Sequence, residues 1–207
     1  MLDGLWLEEE LLGSLDVDRI EPETLLFQTG YLTIQERIWA FDSYRYRLGY
    51  PNREVRVSLP RAVLNRYVPD LMVKERTRDR IARSLKHDDP AALEGAFHAF
   101  FAPIHWYRHN DLAGYEGYWA SLVYCLFAAL GVDTRTEEAT CRGQVDLVIE
   151  YQGRVWLLEF KVDELSDGQR TLNQIKARGY HHRYDGRPVT LIGIDFSRER
   201  RNLSSFA

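Results

Sequence analysis

The chain has 207 residues, of which 45% are apolar and 28% charged, and its formal net charge is −4. That length allows one full domain with a smaller attachment, and enough apolar material for a core that needs no disulfide or metal staple. The acidic balance argues against binding nucleic acid by bulk charge. The longest apolar run, Gly117–Val132, is shorter than the roughly 20 residues of a membrane span and is headed by Glu116.

Two cysteines, Cys125 and Cys141, have neither zinc spacing nor a disulfide framework, which fits a reducing cytoplasm. The opening MLDGLWLEEE is acidic and has no leader pattern. Charge is uneven: Arg61–Lys86 holds eight Lys/Arg against three Asp/Glu, and Arg170 to the C-terminus repeats that count. On charge alone these are solvated helix faces, although they also suit a locally anionic partner.

In chain order, residues 1–20 read as a short helix, and Glu21–Phe27 as another with Pro22 in its first turn. Tyr31–Ile34 and Tyr44–Leu48 read as strands. A helix over Arg53–Leu59 breaks at Pro60 and resumes to Tyr67. Residues 74–101 are helical around an interruption at Asp88-Asp89-Pro90, and Leu93, Ala96, Phe97, Phe100 and Phe101 recur at helical spacing. After a polar stretch, His105–Gly114, the spacing predicts a helix over Tyr115–Leu130, stopped by Gly131. Strands follow at Thr134–Thr140, Gln144–Tyr151 and Arg154–Val162, the last two joined by a tight turn at Gln152-Gly153. A helix over Ser166–Tyr184, capped by Ser166 or Asp167, leads to a last strand, Pro188–Asp195.

The chemistry concentrates in VWLLEFKV. This run is apolar enough for a central strand, yet it carries Glu159 and Lys161, which point to one side because strand side chains alternate. Burying them is costly without partners. They form either a plain ion pair or a metal-ligand carboxylate beside a working ammonium. Across the hairpin, Asp146 shares a face with Val148 and falls at the same end as Glu159. Two converging carboxylates repel unless a divalent cation lies between them. Glu116 is the only charged residue of its helix. By itself it reads as a first-turn carboxylate favoured by the helix dipole. Gln174 alone is as readily a solvent-facing residue. His105 and His109 have zinc-compatible spacing but no third ligand, and the adjacent His181 and His182 diverge too far to chelate together.

The order Glu116, Asp146, Glu159-Phe160-Lys161, Gln174, with the segments RGQVDLVIE, VWLLEFKV, LNQIKARGY and LIGIDFS, resembles a PD-(D/E)XK nuclease. From Leu93 to Phe206 it resembles the nuclease domain found C-terminal to AAA-like ATPase regions. LLFQTGYLTI and LGYPNREVR resemble the end of such an ATPase region. Two departures stand out: there is no G-x-x-x-x-G-K-[ST] phosphate loop, and Gln144 stands where the family often has Arg, a place that Arg142 can take.

The resemblance implies an α/β fold with a restriction-endonuclease-like core (helix, three-stranded meander, helix, strand). A small, mainly helical or winged-helix-like region, residues 1–70, precedes the nuclease-like residues 71–207. It implies a hydrolase that cuts nucleic acid, expected to be DNA, with Mg²⁺ or Mn²⁺. Asp146 and Glu159 would hold the cation, helped by the Phe160 carbonyl and Glu116. Lys161 would activate water, and Gln174 would support the lysine or the substrate. The implied partners are nucleic acid, an ATPase or a missing ATPase domain, and a second copy of the chain, with no membrane. A nuclease-like module that binds without cutting is the alternative.

Overall fold

In the computed structural model, residues 4–13, 21–104, 116–140, 143–162 and 169–207 are described, except the side chains of Leu11, Glu116, Glu137–Thr140, Gly143 and Gln144. The chain divides into two compact units, Met1–Leu59 and Pro60–Ala207.

The first unit holds a three-stranded antiparallel sheet in the order β1-β3-β2, with β1 at Leu5–Glu8, β2 at Thr33–Ala40 and β3 at Ser43–Gly49. Helices α1 (Glu9–Gly13) and α2 (Pro22–Gln28) accompany it. Leu12, Leu32 and Leu48 form its core, with Leu7, Leu26 and Phe27 packed on them. Within the expected helix over residues 1–20, the described residues form a strand, Leu5–Glu8, and one helical turn, Glu9–Gly13, because Leu5 and Leu7 pair with β3; the rest of that span lies outside the described residues. The hairpin is longer than its sequence pattern indicates. β2 carries polar residues on both faces, so alternation does not mark it, and Phe41 and Asp42 turn the chain at φ 51° and 61°.

Helix α3 (Arg53–Tyr67) continues through Pro60, where the sequence predicts a break. Proline removes one amide donor, but the turns on either side hold the helix together. The second unit then adds α4 (Leu71–His87) and α5 (Pro90–Phe101). Asp70 caps α4 by accepting from the Met72 amide at 2.7 Å, and Asp89 caps α5 by accepting from the Ala92 amide at 2.9 Å. Between them Asp88 takes a left-handed conformation, and its carboxylate accepts from Arg154 and Thr190.

Helix α6 (Glu116–Ala129) precedes a five-stranded sheet in the order β4-β5-β6-β7-β8. Its strands are Asp133–Thr140, Gly143–Tyr151, Arg154–Val162, Val189–Ser197 and Asn202–Phe206. β4, β5 and β6 are successive antiparallel neighbours, β6 and β7 run parallel, and β8 returns antiparallel. The parallel step requires a crossover, which α7 (Gln169–Arg178) supplies. Gly179, at φ 65°, ends α7, and a 3₁₀ turn at Tyr180–Tyr184 replaces the expected longer helix. β8 is an addition to the elements that the sequence pattern predicts.

The sheet is covered on both faces. One face presents Leu147, Ile149, Trp156, Leu158, Phe160, Ile194 and Phe196 to α5 and α6, where Trp119 stacks on Phe196 with centroids 4.5 Å apart. The other presents Val148, Val155 and Leu157 to Ile175 of α7 and to Tyr180. This second face carries the polar site.

Candidate active site

The hairpin Gln152-Gly153, with both residues at positive φ, sets the β5–β6 register. Leu147 pairs with Leu158, Val148 with Leu157, and the pairing ends at Leu147. One step further Asp146 would face Glu159. There the Phe160 amide donates to Asp146 Oδ2 at 2.8 Å, so a side-chain carboxylate takes the place of the next ladder carbonyl. Asp146 and Glu159 thus meet at the end of the paired segment, on the face covered by α7.

Glu159 is 2% exposed. Gln174 Nε2 donates to its Oε1 at 2.9 Å, and Arg178 Nη1 donates to the same oxygen at 3.2 Å. Arg178 Nη1 also lies 2.8 Å from the Tyr180 hydroxyl, and its side chain is 40% exposed, which leaves it at the rim. Glu159 Oε2 is buried and accepts no hydrogen bond among the described residues. Burial, and then the neighbouring Asp146 charge, push the Glu159 carboxyl up to about 7, against the opposing pull of Arg178 and Lys161.

Lys161 follows on the same face of β6, and its register partner on β7 is Asp195. Asp195 is fully buried and accepts from Thr171 Oγ of α7 at 2.6 Å and from Ser205 Oγ of β8 at 2.7 Å. Asp146, Glu159 and Asp195 thus lie at this end of the face, with Lys161 and Arg178 among the cations beside them. The unbonded Glu159 Oε2, with Asp146 beside it, fits an oxygen-liganded divalent cation, which commonly uses only one or two carboxylates. No group of three or more His, Cys, Asp or Glu side chains is drawn together for a metal among the described residues. Glu116 opens α6, but its side chain lies outside the described residues, as do Arg142, His105, His109 and the helix caps Ser166 and Asp167.

Of the residues singled out in the sequence, Asp146, Glu159, Phe160, Lys161 and Gln174 fall together. Arg178, which by sequence reads as surface charge, braces Glu159 here, and Asp195 joins them without having been singled out. Gln174 and Arg178 are i,i+4 neighbours, so the position of one already implies the other. Asp195 becomes visible only once the parallel β6–β7 register is known.

Residues 114–206 match the family model of the PD-(D/E)XK nuclease superfamily. The matched stretch takes in both carboxylate-bearing strands, Lys161, α7 and Asp195. A protein of Azotobacter chroococcum mcd 1, described as an uncharacterized protein in vnfD 5'region, is 43% identical over 211 residues. The alignment covers 99% of this chain but only 40% of that relative. No solved structure matches. No helix among the described residues is long and apolar enough to cross a membrane.

Proposed function

We propose that the second unit is a metal-dependent nuclease that hydrolyses phosphodiester bonds of nucleic acid, with DNA as its substrate and Mg²⁺ or Mn²⁺ as its cation. The observation that carries this reading is the meeting of Asp146 with Glu159, whose Oε2 is buried without a hydrogen-bond donor among the described residues. The superfamily match over residues 114–206 supports the same reaction class.

Asp146 and Glu159 would hold the cation, with the Phe160 carbonyl and Glu116 as further oxygen ligands. When bound, the cation lowers the pKa of a water and offsets charge on the phosphoryl oxygens. The Phe160 amide fixes the Asp146 carboxylate, so its remaining oxygen keeps one direction. Gln174 and Arg178 hold Glu159 Oε1 and so aim Oε2. Lys161, two residues on from Glu159, would orient the attacking water and stabilise the negative charge that develops on phosphate.

The alternative is a nuclease-like module that binds without cutting. The Arg178–Glu159 ion pair favours it, because a guanidinium already compensates the carboxylate that a cation would need. The chain spans 40% of the length of its Azotobacter relative. An ATPase region, on the same polypeptide or on a partner, is proposed on the resemblance of LLFQTGYLTI and LGYPNREVR, and pairing of two nuclease units on the likeness to nucleases that cut as dimers.

A cleavage assay decides between the two. Single- and double-stranded DNA and RNA are incubated with the chain in Mg²⁺, Mn²⁺ or EDTA, alongside Asp146→Asn and Lys161→Ala. Cutting that needs the cation and is lost in both variants is the expected result. Intact substrate throughout, with folded protein that still retains nucleic acid on a filter, supports the binding module.

A further inference from the structure

Asp195 is a fully buried carboxylate for which the proposed mechanism has no use. It occupies the middle of a row across three strands: Lys161 on β6 and Ser205 on β8 are its register partners on either side. Register partners project to the same face of a sheet, on strands about 4.8 Å apart. Above the row, Thr171 reaches down from α7.

The two hydroxyls orient both carboxylate oxygens, one each, at 2.6 and 2.7 Å. Neutral donors do not cancel a buried negative charge, which is expensive without a cation nearby. Arg178, a cation that α7 brings to this face, is committed to Glu159 and Tyr180. Lys161 is the cation that the register sets beside Asp195.

We propose that Asp195 is a positioning residue for Lys161. Held by Thr171 and Ser205, it fixes the direction and charge of the ammonium beside Glu159. The inference rests on the nuclease reading for its consequence, but not for its physical content. Each oxygen that accepts from a hydroxyl keeps a second lone pair, which the ammonium can share.

A double-mutant cycle with Asp195→Asn and Lys161→Met tests this. The asparagine keeps the shape and can still exchange hydrogen bonds with both hydroxyls, but it drops the charge. Urea unfolding midpoints are measured for native, single and double variants, together with Mg²⁺ binding by calorimetry and cleavage rate. Asp195→Asn is expected to lower the midpoint in the native background. In the Lys161→Met background that loss should shrink by at least half or reverse. Cleavage should fall by about tenfold to a hundredfold in Asp195→Asn, the usual effect of losing a supporting partner. It should fall no further when Asp195→Asn is added to Lys161→Met, and Mg²⁺ affinity should stay native.

Equal midpoint losses in both backgrounds would overturn the proposal and leave Asp195 as a stitch between α7 and β8. Coupled midpoints without cutting or Mg²⁺ binding would uphold the pair while removing the nuclease reading, so the two failures are distinguishable. Should Asp195→Asn not fold, Ser205→Ala serves instead. It loosens the carboxylate and makes it lean harder on the lysine, so Lys161→Met should cost more there than in the native chain, and equal costs would overturn the proposal.

Discussion

The amide of Phe160 donates to the carboxylate of Asp146 at 2.8 Å, immediately beyond the point where β5 and β6 cease to pair. The residue that follows one proposed ligand thereby fixes the other. Asparagine offers an acceptor oxygen of the same shape, so Asp146→Asn should keep the fold and this bond. What it loses is the charge that holds a cation. Calorimetry with Mg²⁺ should show binding to the native chain and none to Asp146→Asn, with unchanged urea midpoints in EDTA. A substantial fall in the EDTA midpoint would instead make Asp146 mainly structural.

Glu159 is pushed up from 4.5 to about 7, first by burial and then by Asp146. A carboxyl raised on folding binds its proton more tightly in the native state than in the unfolded one. Its stabilising contribution is full below pH 4.5 and is lost as pH rises to about 7. The loss approaches about 3 kcal/mol by proton linkage. In EDTA, urea midpoints of the native chain relative to Glu159→Gln should therefore fall across this window. Saturating Mg²⁺ should oppose the fall, because the cation selects the ionised carboxylate. A pH-independent difference between the two proteins would show that Glu159 ionises in its ordinary range.

The core makes a prediction that owes nothing to the chemistry. Phe196 on β7 is fully buried and lies parallel to Trp119 of α6, with an interplanar angle of 9°. It also touches Phe101 edge-on. Phe196→Ala removes one side of this contact between helix layer and sheet and should cost about 3–5 kcal/mol. A urea midpoint shift of that size, with cleavage in dilute denaturant unaffected until unfolding begins, is the expected result.

The C-terminal half is legible in the sequence because its strands carry local signals. VWLLEFKV and QVDLVIE combine an apolar run with charges at alternating positions, and Gln152-Gly153 between them is enough to make the two strands antiparallel neighbours. What stays hidden depends on contacts distant along the chain. Asp195 looks like the polar end of a core strand until β6 and β7 are placed in parallel. Arg178 looks like surface charge until α7 is laid over Glu159. In the first unit, β1 escapes because Leu5–Glu8 has helix-forming composition and takes strand form only through pairing with β3.

Arg178 offers the sharpest test between the two functional readings. Its guanidinium holds Glu159 Oε1 at 3.2 Å and helps to keep the carboxyl from rising further. In a nuclease this is support: removing it with Arg178→Met raises the Glu159 pKa. Mg²⁺ binding should then reach half its maximum at a higher pH than in the native chain. In a silent module the guanidinium stands in for the cation, and its removal should create Mg²⁺ binding that the native chain lacks. Calorimetry at several pH values on both proteins reads the difference directly. Native binding displaced upward in pH identifies Arg178 as a brace for Glu159, whereas binding gained only in the variant identifies it as the occupant of the cation's place.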